Sequence, residues 1–401
     1  MVRFFSSLSL VGCLAVATVM PAAEAAKVPS KAEVEALLTK AQNWLLAQQQ
    51  PDGAFLPGKQ FVIGITAMSV EALAKPPLAM TKDDPRLAKA IALLRANYHS
   101  TDGGTYALEE GMGNYGTSFT LMALAAANVE DKEWIAGGQK FLFGGQNNTA
   151  DSIAEGGMGY GSKGAGHEDL SNTASAIAAL KVSGVPATDP HLKKALEFME
   201  RCQNLSSHNK LPWVSNDGGA VYSPEESKAE GSWNPKEGAK DGVKEGAKDG
   251  AASAPASAAV KLSSYGSMTY ALISSYLALD LRADDPRVAA ALVWVKANYQ
   301  FEANPGMLAG KEQEGLLYYY AAMAKTFDML DLTVIELKDG KKVDWRADLF
   351  AAISKRAVVV KLDDGREGIM WMNNAKRWGE GLPQLATIYL IKALKGIHAS
   401  L

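Results

Sequence analysis

Four places in this chain hold residue types that could do chemistry. The run His167-Glu168-Asp169, followed by Ser171, Asn172 and Thr173, sets an imidazole beside two carboxylates. Such a group could serve as general acid or base. The same Asp, Ser, Asn and Thr standing before an apolar run are also the residues that cap a helix by accepting its free N–H groups. Asp363-Asp364-Gly365-Arg366-Glu367 has carboxylates spaced to hold a divalent cation, yet it is centred on an Asp-Gly pair and reads as a turn. No metal site and no cofactor are expected. Cys202 could supply a thiolate, but it stands in an amphipathic helical pattern and reads as a packed core residue. The fourth place is dispersed: Tyr115, Thr117 and Thr120; Tyr265, Ser267 and Thr269; Glu314 and Tyr318–Tyr320; Trp371, Arg377, Trp378 and Glu380.

Helices must position these groups. The segment Lys40–Phe55 returns in degenerate form near residues 89, 138, 194, 290 and 355, each copy a helical tail, an aromatic or large apolar residue, a Gln or Tyr, then a Gly turn. A repeat of this length cannot bury its own apolar face, so the copies must stack. Two helix patterns alternate. One is opened by Asp-Pro at Asp84, Asp189 and Asp285, with further starts near Lys31, Asp131 and Asp344, and carries charged faces. The other is apolar on most sides: Phe61–Ala74, Tyr115–Ala127, Asp169–Val182, Tyr265–Leu279, Glu314–Leu330 and Pro383–Leu394. Six outer and six inner helices imply an all-α (α/α)6 toroid over residues 26–400, with a small hairpin at Leu332–Leu337. The stretch 223–259, where KEGAKDG occurs twice, is expected to be a disordered insertion.

The N-terminus has Arg3, an apolar core from Leu8 to Met20, Pro21 and the small-residue segment Ala23–Ala25, the form of a cleaved signal over residues 1–25 and hence of a secreted or periplasmic protein. Leu10-Val11-Gly12-Cys13 offers the alternative of a lipoprotein. No membrane-spanning segment is expected in the mature chain. A net charge of −3 gives no basic surface for nucleic acid.

The repeats resemble those of the squalene/hopene cyclase and protein prenyltransferase superfamily, whose motif is Lys-Ala-x2-aromatic-aliphatic-x3-Gln…Gly-x-Trp. Lys40, Ala41, Trp44, Leu45, Gln49, Gly53 and Phe55 match it, as do Lys194, Ala195, Phe198, Met199 and Gln203. In feel the chain is similar to secreted bacterial prenyltransferase/squalene-oxidase repeat proteins. The resemblance covers about residues 31–396 and implies the terpenoid cyclase-like toroid, with the motif glutamine tying off carbonyls at a helix end.

What the resemblance implies for chemistry departs from the family at two points. Class II cyclases protonate an alkene with the central acid of Asp-x-Asp-Asp-Thr-Ala; here the string is Asp169-Leu170-Ser171-Asn172-Thr173-Ala174, with Ser171 in the acid's place. A serine hydroxyl cannot protonate an alkene, and a helix N-terminus should lower the pKa of Asp169. The Asp, Cys and His zinc set of the prenyltransferases is missing too. The expectation is an exported toroid that binds an apolar or isoprenoid small molecule, or a protein partner, in its central cavity. Ser171, Asn172, Thr173, Tyr115, Tyr265, Thr269, Tyr318, Trp371, Arg377, Trp378 and Glu380 are the candidate lining. The alternative is a divergent terpenoid cyclase or prenyl-transfer enzyme with Asp169, His167 or Glu314 as the acid or base. A further alternative is a polysaccharide-processing enzyme on the same fold.

Overall fold

A computed structural model describes residues 26–58, 60–161, 166–234 and 261–401. The expected leader at 1–25 and positions 235–259 of the expected insertion lie outside the described residues. Positions 223–234 do not behave as a solvated linker. The Trp213 indole donates to the Pro224 carbonyl at 2.8 Å, Ser227 and Ala229 are buried, and the Lys228 ammonium sits 4.4 Å from the centre of the Tyr222 ring. The segment is low in apolar residues but is held by backbone bonds and one buried tryptophan, which a composition argument does not register.

Twelve α-helices run through the described residues. The odd-numbered ones are α1 (Lys31–Ala47), α3 (Pro85–Ala96), α5 (Lys132–Gly144), α7 (Pro190–Arg201), α9 (Pro286–Ala297) and α11 (Trp345–Lys355). Each begins at a cap that the sequence marks. Ser30 forms a reciprocal capping box with Glu33, and Asp84, Asp131, Asp189, Asp285 and Asp344 each accept a first-turn N–H. The even-numbered helices are α2 (Val62–Ala74), α4 (Gly113–Ala126), α6 (Leu170–Val182), α8 (Gly266–Ala278), α10 (Leu316–Met329) and α12 (Pro383–Ala399). They are buried on most sides; in α8 every residue from Gly266 to Tyr276 is enclosed.

Each even helix packs on the next even helix in the chain, and α12 packs back on α2. Each odd helix lies against an even one. The ends of the chain meet through two ion pairs, Lys40 of α1 with Glu367 at 2.7 Å and Lys392 of α12 with Glu71 of α2 at 2.7 Å, and a hydrogen bond between His398 of α12 and Glu35 of α1 at 2.8 Å. Two short antiparallel hairpins interrupt the helices, β1 (Val334–Glu336) with β2 (Lys342–Asp344) and β3 (Val358–Lys361) with β4 (Glu367–Met370). Asp363-Asp364-Gly365 is the turn of the second. Asp364 pairs there with Arg366 and Glu367 with Lys40, so the carboxylates are used individually.

The repeat glutamine makes a different contact from the one the motif suggests. Rather than tying off its own helix end, it joins two repeats. The Gln49 amide donates to Gly53 O and, at 2.8 Å, to Arg86 O in the first turn of α3. Gln146 does the same to Gly156 O and His191 O of α7, and Gln203 to Gly218 O and Arg287 O of α9. Where the repeat carries Tyr, the hydroxyl spans the same gap: Tyr98 reaches Glu133 O of α5, and Tyr299 reaches the Asp348 carboxylate of α11 at 3.0 Å. The Gly turn must lie against the next odd helix for this to work. Gly53 has φ +101°, and a Cβ there would stand 2.6 Å from the Lys89 carbonyl oxygen.

A second device fastens each turn to its own even helix. The hydroxyls of Thr66, Thr117, Thr173, Thr269 and Thr387 accept the backbone N–H of Phe55, Thr105, Met158, Ala220 and Trp371 respectively, at 2.9–3.3 Å. These bonds are buried, so losing the acceptor strands an N–H without water. Replacing Thr173 by Val is expected to destabilise the protein by ~1–3 kcal/mol, and Gln203→Ala by a comparable amount. Urea denaturation of both variants checks this. Thr173→Ser should restore most of the loss of the first.

Candidate functional site

The threonine device supplies a register for the even helices. Thr66, Thr117, Thr173, Thr269 and Thr387 are equivalent, and Tyr320 of α10 takes the corresponding position, its hydroxyl donating to the Phe301 carbonyl. Two residues earlier on each helix come Gly64, Tyr115, Ser171, Ser267, Tyr318 and Leu385. They form one level. The Tyr115 hydroxyl lies 2.8 Å from Ser171 Oγ, and the Tyr318 hydroxyl also reaches Ser171. Three side chains from α4, α6 and α10 therefore converge. One helical turn deeper, Tyr115 stacks on Phe119 with ring centres 5.5 Å apart, and Tyr389 of α12 meets Tyr318, also at 5.5 Å.

The residues on this face are not packed shut. Tyr115, Phe119, Met122, Ser171, Ala174, Ser175, Ala178, Tyr318, Ala321 and Tyr389 remain half-buried in the middle of helices whose other faces are enclosed. They form a half-open inward face on α4, α6, α10 and α12, aromatic at the level of Ser171 and mostly aliphatic below. Burial raises the hydroxyl pKa values of Tyr115 and Tyr318, the latter to about 12, so both stay protonated and donate or accept as neutral groups. Met158 and Gly159 precede a cleft of about 310 Å³ at the helix starts. Tyr160, His167, Glu168, Tyr222, Glu226 and Lys228 line it. The Tyr160 and Tyr222 hydroxyls are 2.8 Å apart at its floor.

Asp169 stands behind this level rather than in it. Its carboxylate caps α6, accepting Asn172 N at 2.8 Å and Asn172 Nδ2 at 2.7 Å, with no exposure. The expectation that the helix N-terminus lowers its pKa is overturned. Burial outweighs the bonds from Asn172 and Tyr222 and lifts the pKa to about 6. Sequence spacing identifies the cap but not its depth. Asn172 belongs to the same buried network, accepting Asn114 Nδ2 at 3.2 Å. Thr173 and Thr269 are spent on the turns. Tyr265 is enclosed ahead of α8, and Trp371 is fully buried with its indole donating to Ile353 O at 2.9 Å.

The remaining candidates form a second cluster at the start of α10. Glu314 pairs with Arg377 at 2.8 Å, and Arg377 lies 4.7 Å from the Trp378 ring centre. Trp378 has φ +55° and is partly exposed. Glu380 is buried; it accepts Tyr318 N at 2.7 Å and Asn373 Nδ2 at 2.6 Å, and burial raises its pKa to about 7. It caps α10 from outside the helix, and so fixes the height of Tyr318. His167 is exposed, with φ +60°, at the edge of the cleft. Of the three tyrosines in α10 only Tyr318 faces the axis; Tyr319 and Tyr320 bond to loop carbonyls. Cys202 is wholly buried and its thiol pKa is pushed up, as a packing residue requires. Tyr160, Tyr222, Phe119 and Tyr389 escaped the sequence reading, because only the threonine register identifies which positions look inward.

No family model and no curated protein matches this sequence. Solved structures do. The type II terpene cyclase MstE from Scytonema matches as an apo variant over 92% of this chain and 99% of that one, at 12% identity and a TM-score of 0.53. A variant in complex with geranylgeranyl dihydroxybenzoate, its substrate, matches over the same shares at 13% identity and a TM-score of 0.54. A third, holding the product merosterolic acid A, gives 13% and 0.52. The chain thus has the helical fold of the terpenoid cyclase-like toroids, as the motif resemblance implies, and at this identity the likeness is one of fold.

The two raised carboxyls make stability depend on pH in a stated direction. Asp169 and Glu380 hold protons in the native state to about pH 6 and 7, against about 4 when unfolded. The native state binds more protons in that window, so their contribution is full below pH 4 and lost as pH rises through 6 and 7. Each should contribute on the order of 1–3 kcal/mol at the acidic end. Glu71, held near 2 by Lys392 and Lys75 despite its burial, acts oppositely and only below about pH 4.5. Urea midpoints should therefore be higher at pH 5 than at pH 8, and the double variant Asp169→Asn, Glu380→Gln should flatten that slope.

Proposed function

We propose that this protein is an exported six-fold α/α toroid that binds an isoprenoid-like apolar ligand along its axis without protonating it. The observation that carries this is the trio Tyr115–Ser171–Tyr318. Three neutral hydroxyls meet where an alkene-protonating toroid needs a strong acid. The nearest carboxyl, Asp169, is turned away, saturated by hydrogen bonds and weakened as an acid by burial. The half-open face of α4, α6, α10 and α12, aromatic above and aliphatic below, has the character of an apolar ligand site with a few polar fixing points. The cycle of even-helix contacts supports ring closure. The fold's likeness to MstE, seen with a geranylgeranyl substrate, supports the ligand class. Export rests on the leader-like residues 1–25.

Geranylgeraniol and squalene added to the purified protein should raise its melting temperature, and native mass spectrometry should show one bound molecule. Ala178→Phe, which puts a ring into the axial space, should weaken binding by at least about tenfold, or ~1.4 kcal/mol, without loss of folding. No cyclised or rearranged product should form on prolonged incubation. Absence of binding, or equal binding by Ala178→Phe, contradicts the reading; turnover of either compound contradicts its non-catalytic part.

A further inference from the structure

Seven residues, two helical turns, beyond the Tyr115–Ser171–Tyr318 level, the equivalent positions are Glu71, Met122, Ala178, Ser274, Lys325 and Lys392. At 1.5 Å per residue this level is about 10 Å deeper along the axis. Its two lysines come from α10 and α12, the neighbours that carry Tyr318 and Tyr389 above them. Lys392 pairs with Glu71 at 2.7 Å, and Lys75, one residue past α2, pairs with the other oxygen of the same carboxylate at 2.6 Å. Glu71 is thereby saturated. Lys325 is exposed, and no described carboxylate is bonded to it; the charges around it are Lys392, Glu71 and Lys75.

Three ammonium groups thus gather about one carboxylate, leaving two positive charges at this end of the inward face. Helix dipoles account for only part of this. Lys75 and Lys325 lie near the ends of their helices, but Lys392 is in the middle of α12. Ammonium groups left in excess over their carboxylate are stabilised by any anion that reaches them.

Resting on the axial ligand site argued above, we propose that Lys325 and Lys392 bind the oxyanion head group, carboxylate or phosphate, of a ligand whose apolar chain lies along the axis. The ligand lies with its apolar end at the tyrosines and its head at the lysines. Ser171 and its two tyrosines then contact the tail, consistent with hydroxyls that bond to one another rather than pointing free.

Affinities of the full chain for geranylgeraniol, geranylgeranyl monophosphate, geranylgeranoic acid and inorganic phosphate, measured by calorimetry, test this. The wild-type protein should bind at least one of the two anions about tenfold or more tighter than the alcohol, and the better anion identifies the head group. Lys325→Met should bring that ratio close to one while leaving the alcohol's affinity unchanged; the exposed, unbonded side chain makes this variant safe for folding. Lys392→Met should act in the same direction. A wild-type ratio near one, or a ratio unchanged in both variants, overturns the lysine assignment and leaves the axial site standing. Tight binding of inorganic phosphate that survives Lys325→Met also overturns it, by placing the anion elsewhere. If none of the isoprenoids binds, the axial site itself fails and this assignment with it.

Discussion

A glutamine amide that spans from one repeat to the next is the contact on which the remaining geometry rests. Three of the odd helices, α1, α5 and α7, are followed by a glutamine that bonds two carbonyls, one in its own Gly turn and one in the first turn of the following odd helix. That requirement brings the turn within touching distance of the neighbouring backbone, which glycine alone permits. It also fixes the angle between consecutive helical pairs. The threonine hydroxyl then anchors the same turn to the even helix behind it. Between them the two bonds set pair spacing and depth, so equivalent residues of all the even helices fall at common levels. The level of Tyr115, Ser171 and Tyr318 exists because of that register.

The electrostatics follow from the same register. Groups that fall on the inner faces are desolvated whatever their local sequence says, and this decides Asp169. Its bonds from Asn172 and Tyr222 lower the pKa, as a capping position should, but the burial of the carboxylate outweighs them and raises it. The carboxylate is therefore a structural cap whose acidity has been spent. Glu71 is equally enclosed yet remains a strong acid, because two ammonium groups stand against it. Burial raises both pKa values, and only Glu71 has cations beside it to overcome that cost.

Much of the scaffold was legible in the letters. Asp-Pro at Asp84, Asp189 and Asp285 marks helix starts because cap chemistry is local, and the inner and outer patterns differ because their burial does. Ser171 could be singled out by its place in a motif. Other features were hidden because they depend on what lies across the ring. Lys325 and Lys392 look like ordinary helix lysines until the threonine register puts them on the same inward level as Glu71. Thr173 and Thr269 look like ligand groups until the turn N–H above each is seen. The compositional argument for 223–259 overreached at its start, since Trp213 and backbone bonds hold residues that hydrophobicity counts would release.

Crystallography of the protein purified without added lipid, with density calculated along the axis from Ser171 to Lys325, is the most direct test of the central claim. The account predicts a continuous space bounded by Tyr115, Tyr318 and Tyr389 at one end and by Lys325 and Lys392 at the other, holding elongated density. An axis closed by Phe119, Met122 and Tyr389 packed against one another, with no density between Ser171 and Lys325, would contradict it.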